Sequence, residues 1–326
     1  MMPYIMIKCF FFDLPCLQFP TFLTQSMTHL YPQTGQHTSG MPPKRRPDQN
    51  LIFYQVEPPR HHRDAIQRTD PHNHPAWKDV FNWTMSYRHD SDFSNYYGVL
   101  RKRRNPVARN YTDILSKKTK MGAWIVSNQD SSNNRTDYVH ALQSHNVSID
   151  IYGGWGLIRC PRGQEAKCND IFSTNYKFYF AFENSFCDDY ISEKFFKNFN
   201  LNLILVARGT KDGRGYANVA PPETYINTAD FKSPKELAER LHYLDTHNEE
   251  YIAMLKAKDE YFSVYEDYML PNNYLEHRYE AVTFCQVCQR LWNIDKYSQS
   301  IPDIFKWHKQ FNTCRDATDL PGLFVD

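Results

Sequence analysis

The sequence lacks an excess of charge of either sign. Its 326 residues include 38 Lys and Arg against 37 Asp and Glu. Proteins that bind a nucleic-acid backbone usually present a broad positive surface, so this balance argues against that class. The sequence therefore predicts no nucleic-acid partner, and any anionic ligand must be small and held by a few local side chains.

A complete zinc-binding pattern is also missing. Of the eight cysteines only Cys285 and Cys288 form a Cys-X-X-Cys pair, and no histidine lies near them at finger spacing. A structural zinc site needs four ligands, usually from two such pairs. The even count instead favours disulfides, which suit a secretory lumen. Asn-X-Ser/Thr sequons agree with that compartment and lie at Asn82, Asn110, Asn134 and Asn146.

No apolar run predicts a membrane-spanning helix. The best candidate, residues 4–23, is interrupted by two charged residues and two prolines, whereas a spanning helix needs about 20 residues with few charges. Residues 24–50 are rich in Pro, Gln, Thr, His and basic residues without apolar periodicity, which is typical of a tail or linker. We therefore expect folded structure to begin near Leu51.

From Leu51 onward, short apolar runs alternate with runs of helical periodicity. The runs that predict strands are 51–56, 80–87, 122–127, 148–152, 176–182 and 201–207. Those that predict helices are 135–145, 190–199, 233–246 and 249–262. Continuous apolar strands separated by helices are typical of a parallel sheet covered on both faces. The pattern predicts an α/β fold, and the chain length predicts two domains.

The segment most informative about function is YKFYFAFENSFCDDYISEKFFK, residues 176–197. A buried strand ends near Asn184, and a helix begins near Tyr190. Ligands of open α/β sheets bind where strands end, and the N–H groups at a helix start favour a phosphate. Lys194 adds positive charge there. On composition alone, a solvated helix face is the favoured interpretation of Glu193 and Lys194.

Other residues could carry chemistry at the ends of predicted strands. Arg135 starts a predicted helix after a strand and a polar loop, where its guanidinium could bind a phosphate through two hydrogen bonds or simply face solvent. Glu57 follows the apolar run LIFYQV, a place for a general base or for an ordinary loop carboxylate. Asp90 and Asp92 resemble the Asp-X-Asp pair that holds Mn²⁺ in many glycosyltransferases, but a turn after the strand is the favoured interpretation.

Together these segments resemble glycosyltransferase family 10, the α1,3-fucosyltransferases. The matching blocks are residues 81–92, the AWIVSN loop through Arg135, residues 176–194 and residues 220–251. The resemblance implies a GT-B architecture, in which two Rossmann-like domains face each other and the second holds most of the donor. We accordingly expect a tail at 1–50, the remainder of a truncated or divergent acceptor-side domain at 51–120, a GDP-fucose-binding domain at 121–290 and a C-terminal extension at 291–326.

The resemblance also implies roles for particular residues. The implied donor-binding residues are Arg135, Asn184, Tyr190, Glu193 and Lys194. Glu57 matches the position of the family's general base. Members of the family transfer fucose without an essential metal or other cofactor, so the Mn²⁺ interpretation of Asp90 and Asp92 is set aside.

The implied reaction is inverting transfer of fucose from GDP-fucose to the 3-hydroxyl of a GlcNAc residue on a glycoprotein glycan, in the Golgi lumen. Membrane attachment is expected from the family. Cys160, Cys168 and Cys187 resemble those of members that act on the innermost GlcNAc of N-glycans, and with Cys285 and Cys288 they are the disulfide candidates. The competing hypothesis is an inactive luminal protein that binds a sugar nucleotide or a glycan.

Overall fold

The computed structural model describes residues 6–7, 28–32, 49–59, 75–105, 107–127, 131–160, 164–265, 278–308 and 313–320. The chain divides into two compact units. The first combines Met1–Tyr96 with Tyr268–Thr313, and the second combines Tyr97–Asp267 with Cys314–Asp326.

Short strands and helices alternate along much of the described chain. The strands are β1 (Met6–Ile7), β2 (Thr28–Pro32), β3 (Asn50–Gln55), β4 (Trp83–Ser86), β5 (Phe93–Ser94), β6 (Gly98–Lys102), β7 (Lys120–Ile125), β8 (Ile149–Tyr152), β9 (Tyr176–Phe182), β10 (Phe186–Cys187), β11 (Ile204–Arg208), β12 (Tyr225–Asn227), β13 (Tyr261–Tyr265) and β14 (Cys314–Arg315). The α-helices are α1 (Tyr111–Ser116), α2 (Arg135–Ser144), α3 (Glu165–Asn175), α4 (Glu193–Phe199), α5 (Pro234–Thr246), α6 (Asn248–Asp259), α7 (Arg278–Trp292), α8 (Ile294–Tyr297) and α9 (Ile304–His308).

The first unit is built on a sheet with the strand order β1-β2-β3-β4-β5. Strands β2 to β5 run parallel, and β1 pairs antiparallel with β2. Strand β3 is buried on both faces, since Ile52 lies in one apolar cluster while Leu51 and Phe53 lie in another. Two buried faces explain why its sequence is continuously apolar rather than alternating.

Strand β2 corrects the prediction that residues 24–50 form a tail. It pairs with β3 in a parallel register that runs from Thr28 opposite Asn50 to Pro32 opposite Tyr54. The hydrogen bonds of a parallel ladder come from the backbone, so a strand can form there without the apolar periodicity on which the prediction relied. Folded structure therefore begins before Leu51.

The second unit contains a fully parallel sheet with the order β12-β11-β9-β7-β8. Its central strand β9 is buried along its whole length. Phe178, Phe180 and Phe182 pack in one cluster with α2, α5 and α6, whereas Tyr179 contacts Phe172 of α3. Helices thus cover both faces of this sheet, and the predicted α/β fold, with a sheet of mainly parallel strands in each of two units, is confirmed.

The order of these strands creates a topological switch point. The chain moves from β7 to β8 on one side, and from β9 through β11 to β12 on the other. Connections therefore leave neighbouring strands β7 and β9 in opposite directions, which opens a crevice at their carboxyl ends. In open α/β sheets this crevice is where ligands bind.

Two helix assignments differ from the sequence prediction. The predicted helix 249–262 ends at Asp259, and Tyr261 begins β13, which pairs antiparallel with β6. The apolar side chains of Tyr261 and Phe262 fit either a helix face or a strand, and the distant partner strand decides between them. Helix α3 lies in a stretch for which the sequence predicted no element.

No helix in the described ranges is long and apolar enough to cross a bilayer.

The division into units also differs from the predicted boundaries at 121 and 291. Because β6 pairs with β13, the second unit begins at Tyr97. Helices α7 to α9 belong to the first unit, where the Arg290 guanidinium donates to Asp92 Oδ1 at 2.6 Å. Residues from Cys314 onward return to the second unit. These boundaries depend on pairs that are far apart in sequence.

Candidate functional site

Two loops meet at the switch point of the second unit. One follows β7 and leads to α2, and the other follows β9. Asn133 is fully buried and donates its Nδ2 to the Glu183 carbonyl at 2.8 Å. Ser132 Oγ donates to the Asn184 carbonyl at 3.4 Å and lies 3.2 Å from Ser185 Oγ. The polar loop before α2 and the segment that follows β9 are therefore in direct contact at the switch point.

Arg135 is the first residue of α2, and its side chain is buried. Its Nη1 donates to the Phe182 carbonyl at 3.1 Å, and the guanidinium carbon lies 6.0 Å from the centre of the Trp124 ring. Burial lowers the pKa of Arg135, and the negative charges of Glu183 and Glu193 oppose that shift. The predicted phosphate-binding arginine thus lies at the end of β9, beside the segment FENS.

Lys194 belongs to a compact cluster of charged groups. Its Nζ lies 3.4 Å from Glu183 Oε2 and 3.2 Å from Glu193 Oε1, and it donates to Ser192 Oγ at 2.9 Å. The Glu183 side chain is fully buried and accepts hydrogen bonds from the Ser192 backbone N–H at 2.8 Å and hydroxyl at 2.6 Å. These contacts hold the Lys194 ammonium group beside Glu183, the residue that follows β9.

The charge states in this cluster follow from opposing effects. Burial alone lowers the pKa of Lys194, but the carboxylates of Glu183 and Glu193 outweigh it, so the pKa is raised and the lysine is a cation. For Glu193 burial raises the pKa, but Lys194 outweighs that effect and the pKa is lowered. Burial raises the pKa of Glu183, and Lys194 and Ser192 oppose the rise.

The structure places helix α4 later than the sequence predicted. It begins at Glu193 rather than near Tyr190, and Ser192 is its N-cap, with its side chain accepting a hydrogen bond from the Lys194 backbone N–H. Asp189 has a left-handed backbone with φ of 59°, which interrupts the helix before that cap. Tyr190 is buried in the preceding loop, and its ring packs edge-on against Tyr97.

Arg208 is fully buried at the end of β11 and was not predicted as a site residue from the sequence. Its guanidinium bonds to both carboxylate oxygens of Asp319 and donates to the Asn133 carbonyl at 3.0 Å. A charged residue that ends the apolar run LILVAR was a signal that could have identified Arg208. Nothing local pointed to Asp319, which lies 111 residues away.

Disulfides join the cysteines whose side chains the structure describes. Cys160 pairs with Cys168, and Cys187 pairs with Cys314. Cys288 is also disulfide-bonded, which confirms the prediction of disulfides for it, while the Cys285 side chain lies outside the described residues. Cys314 was not among the predicted candidates.

Glu57, the predicted general base, belongs to the first unit. It follows the carboxyl end of β3, as predicted, and its backbone N–H donates to Gln55 Oε1 at 3.1 Å. Its side chain is half-buried. The predicted donor-binding residues lie in the second unit.

Asp92 has a structural role that accounts for the Asp-Ser-Asp segment. Its Oδ2 accepts hydrogen bonds from the backbone and hydroxyl of Thr84, at 2.9 and 3.0 Å. Its Oδ1 accepts from Arg290 at 2.6 Å and Gln299 at 2.9 Å. Asp90 pairs with Arg88. Both carboxylate oxygens of Asp92 thus accept hydrogen bonds, which connect Arg290 of α7 and Gln299 to strand β4 of the first sheet.

Comparison with known proteins places the chain in a family. The sequence model of the C-terminal domain of glycosyltransferase family 10 (fucosyltransferase) matches residues 115–307, and that of the fucosyltransferase N-terminal domain matches residues 28–98. The second match includes β2. The two matches define the class as that of a glycosyltransferase, and the chain belongs to glycosyltransferase family 10.

Similarity to individual relatives extends over most of this chain. Alpha-(1,3)-fucosyltransferase fut-1 of Caenorhabditis elegans is 31% identical over 86% of this chain and 62% of its own length. Glycoprotein 3-alpha-L-fucosyltransferase A of Drosophila melanogaster is 36% identical over 72% of this chain and 43% of its own length. The chain thus spans only part of these relatives. A crystal structure of an alpha1,3-fucosyltransferase aligns over 77% of this chain and 74% of its own, with 17% identity and a TM-score of 0.48.

Proposed function

We propose that this chain is an inverting α1,3-fucosyltransferase that moves fucose from GDP-fucose to the 3-hydroxyl of a GlcNAc residue on a glycoprotein glycan. The observation that carries the proposal is that Arg135 and Lys194 both lie beside the carboxyl end of β9, at the switch point of the sheet. Nucleotides bind in such crevices. A diphosphate that leaves water needs cationic partners, and these two side chains supply them.

The remaining predicted residues suit the other parts of the donor. Glu193 has a lowered pKa and a side chain that is 47% exposed, so it can accept hydrogen bonds from hydroxyl groups of a bound nucleotide sugar. In this proposal Asn184, which belongs to the FENS segment, and Tyr190, on the loop that follows it, complete the pocket. Glu183 acts through Lys194, whose position and charge it maintains.

The roles of the general base and of the cationic side chains follow from the chemistry of fucose transfer. GDP-fucose carries a β-linkage and the product is α, so a single in-line displacement inverts the anomeric carbon without a covalent enzyme intermediate. The acceptor hydroxyl loses its proton as it attacks, and we assign that proton to the Glu57 carboxylate. Negative charge develops on the departing diphosphate, where Arg135 and Lys194 stabilise it without a metal ion.

The cellular setting is part of the proposal. Disulfides such as Cys160–Cys168 and Cys187–Cys314 persist in oxidising compartments, which supports a luminal location. Membership of the family suggests that this compartment is the Golgi. Membrane attachment, and a preference for the core GlcNAc of N-glycans over the antennal one, belong to the same proposal.

The test is incubation of the purified chain with GDP-fucose and a panel of glycans that separately present core and antennal GlcNAc. We expect an α1,3-linked fucose on one of them, identified by mass spectrometry and NMR. Glu57→Gln should lower kcat by about 100-fold to 10,000-fold and leave GDP affinity nearly unchanged. Binding of GDP-fucose without transfer to any acceptor would establish the competing hypothesis, an inactive binding homologue.

A further inference from the structure

The C-terminal strap, residues 313–320, is covalently attached to the loop that carries predicted donor-site residues. Its strand β14 pairs antiparallel with β10, and Cys314 forms a disulfide with Cys187. Strand β10 lies in sequence between Asn184 and Tyr190. Arg315 adds a contact, since its guanidinium carbon lies 4.3 Å from the centre of the Phe186 ring. The strap therefore holds the loop after β9 at its midpoint.

A second attachment is the ion pair between Asp319 and Arg208. The guanidinium carbon of Arg208 lies 4.0 Å from the centre of the Tyr138 ring and 4.7 Å from that of Phe186. Burial tends to raise the pKa of Asp319, but Arg208 outweighs it and the pKa is lowered. A buried guanidinium needs a charged partner, so the strap is required to keep Arg208 where it lies.

Arg208 in turn connects the strap to both donor loops. Its Nη2 donates to the Asn133 carbonyl at 3.0 Å, and Asn133 Nδ2 donates to the Glu183 carbonyl at 2.8 Å. The Glu183 backbone N–H donates to the Arg208 carbonyl at 2.8 Å. Asn133 is two residues before Arg135. Loss of the Asp319 carboxylate would therefore disturb Arg208 and Asn133. Through them it would disturb the loop that positions Arg135, the predicted phosphate-binding residue.

We propose that the C-terminal strap is a positioning element of the donor site, in which Asp319 orders the Asn133 loop through Arg208 and the Cys187–Cys314 disulfide orders the loop after β9. The strap binds no part of the donor itself. Its contribution is preorganisation, because a loop that is already ordered loses less conformational freedom when the ligand binds. Donor affinity therefore depends on the oxidised state of Cys187 and Cys314. This inference rests on the proposed function only for its choice of GDP as the probe.

The first test compares two disulfides of the same unit by calorimetric titration of the full chain with GDP. The double variant Cys187→Ser/Cys314→Ser should bind GDP at least tenfold more weakly than the parent protein. The matched variant Cys160→Ser/Cys168→Ser, which loses a disulfide outside these loops, should stay within threefold. Equal losses in both, or none in the first, would overturn the proposal.

The second test does not depend on the disulfide and applies if the cysteine variant fails to fold. Asp319→Asn removes the charge but keeps the shape, and should weaken GDP binding about tenfold, while Asp319→Glu should restore most of the affinity. Asp316→Asn makes the same change at an exposed residue of the strap and serves as the control. A purely structural role for Asp319 would lower the melting temperature and the fraction of binding-competent protein without changing the dissociation constant.

The parent protein separates this proposal from the proposed function. If the parent binds GDP and the strap variants bind equally well, only the positioning role fails. If the parent protein does not bind GDP at all, both the donor-site assignment and the positioning role fail.

Discussion

Replacing Lys194 by methionine should expose how strongly the candidate donor site depends on one ion pair. Methionine keeps an unbranched apolar stem but removes the charge that lies 3.4 Å from Glu183 Oε2. Glu183 would remain fully buried, with the hydrogen bonds from Ser192 as its remaining stabilisation in this cluster. The free energy of unfolding should therefore fall.

The magnitude follows from the burial of the pair. Removing one partner of a buried ion pair costs about 3 to 5 kcal/mol. The Lys194 side chain is 24% exposed and Ser192 still donates to the carboxylate, so we expect the lower end, about 3 kcal/mol, near neutral pH.

The cost should also depend on pH in a defined direction. Burial already raises the pKa of Glu183, and the loss of Lys194 should raise it further above the unfolded value of about 4.3. A group with a raised folded pKa contributes stability that is fully present below its unfolded pKa and is lost as pH rises through the folded pKa. The variant should accordingly lose least stability at acidic pH and most at neutral pH.

Urea unfolding of Lys194→Met and the parent protein at several pH values measures both effects. Lys197→Met is the matched control, because Lys197 lies in the last turn of the same helix, where its charge should contribute less than about 1 kcal/mol. The assigned role of Lys194 is refuted if Lys194→Met costs no more than Lys197→Met, or if its cost is the same at acidic and neutral pH.

Three further predictions concern other parts of the chain. Burial lowers the pKa of Lys258 to about 7, so stability should rise with pH from about 7 to 10.4 by about 1.4 kcal/mol per unit from this group. Urea unfolding of Lys258→Met at several pH values should show that its free energy of unfolding rises less steeply with pH over this range, by about 1.4 kcal/mol per pH unit. Thermal unfolding should show that Asp92→Asn is less stable than the parent protein by about 2 kcal/mol. In the parent protein, EDTA should leave transferase activity unchanged. After expression in a secretory host, Asn146→Gln should remove one glycan detected by mass spectrometry, because Asn146 is exposed. Asn82→Gln should remove none, since its amide bonds to Gln299 and Leu51.

Local sequence patterns predicted the elements that form the crevice. The run YKFYFAF predicted β9 with its bounds, because a strand buried on both faces must be apolar at every position. The start of α2 at Arg135 was also predicted, since a polar loop separates it from the preceding apolar run. Helix α4 was predicted to begin too early, because the left-handed backbone of Asp189 and the cap by Ser192 depend on the packing around Glu183.

Long-range partners could not be predicted in the same way. Strand β2 has no apolar pattern of its own, and its place in the first sheet comes from backbone pairing with β3. The partner of Cys187 lies 127 residues away, and an even set of cysteines allows many pairings. The predicted helix at 249–262 ended early because β6 supplies a partner strand for β13.

By itself, the sequence determined which segments are buried, which elements they form and which polar residues follow them, because periodicity and burial act over a few neighbouring residues. It also determined the family, through the blocks around Arg135 and Lys194. Only the tertiary structure decided that Lys194 is held by the buried Glu183, and that Arg208 at the end of β11 is neutralised by Asp319 of the C-terminal strap. A buried charge needs a partner of opposite sign at a few ångströms, and the fold chooses that partner from anywhere in the chain.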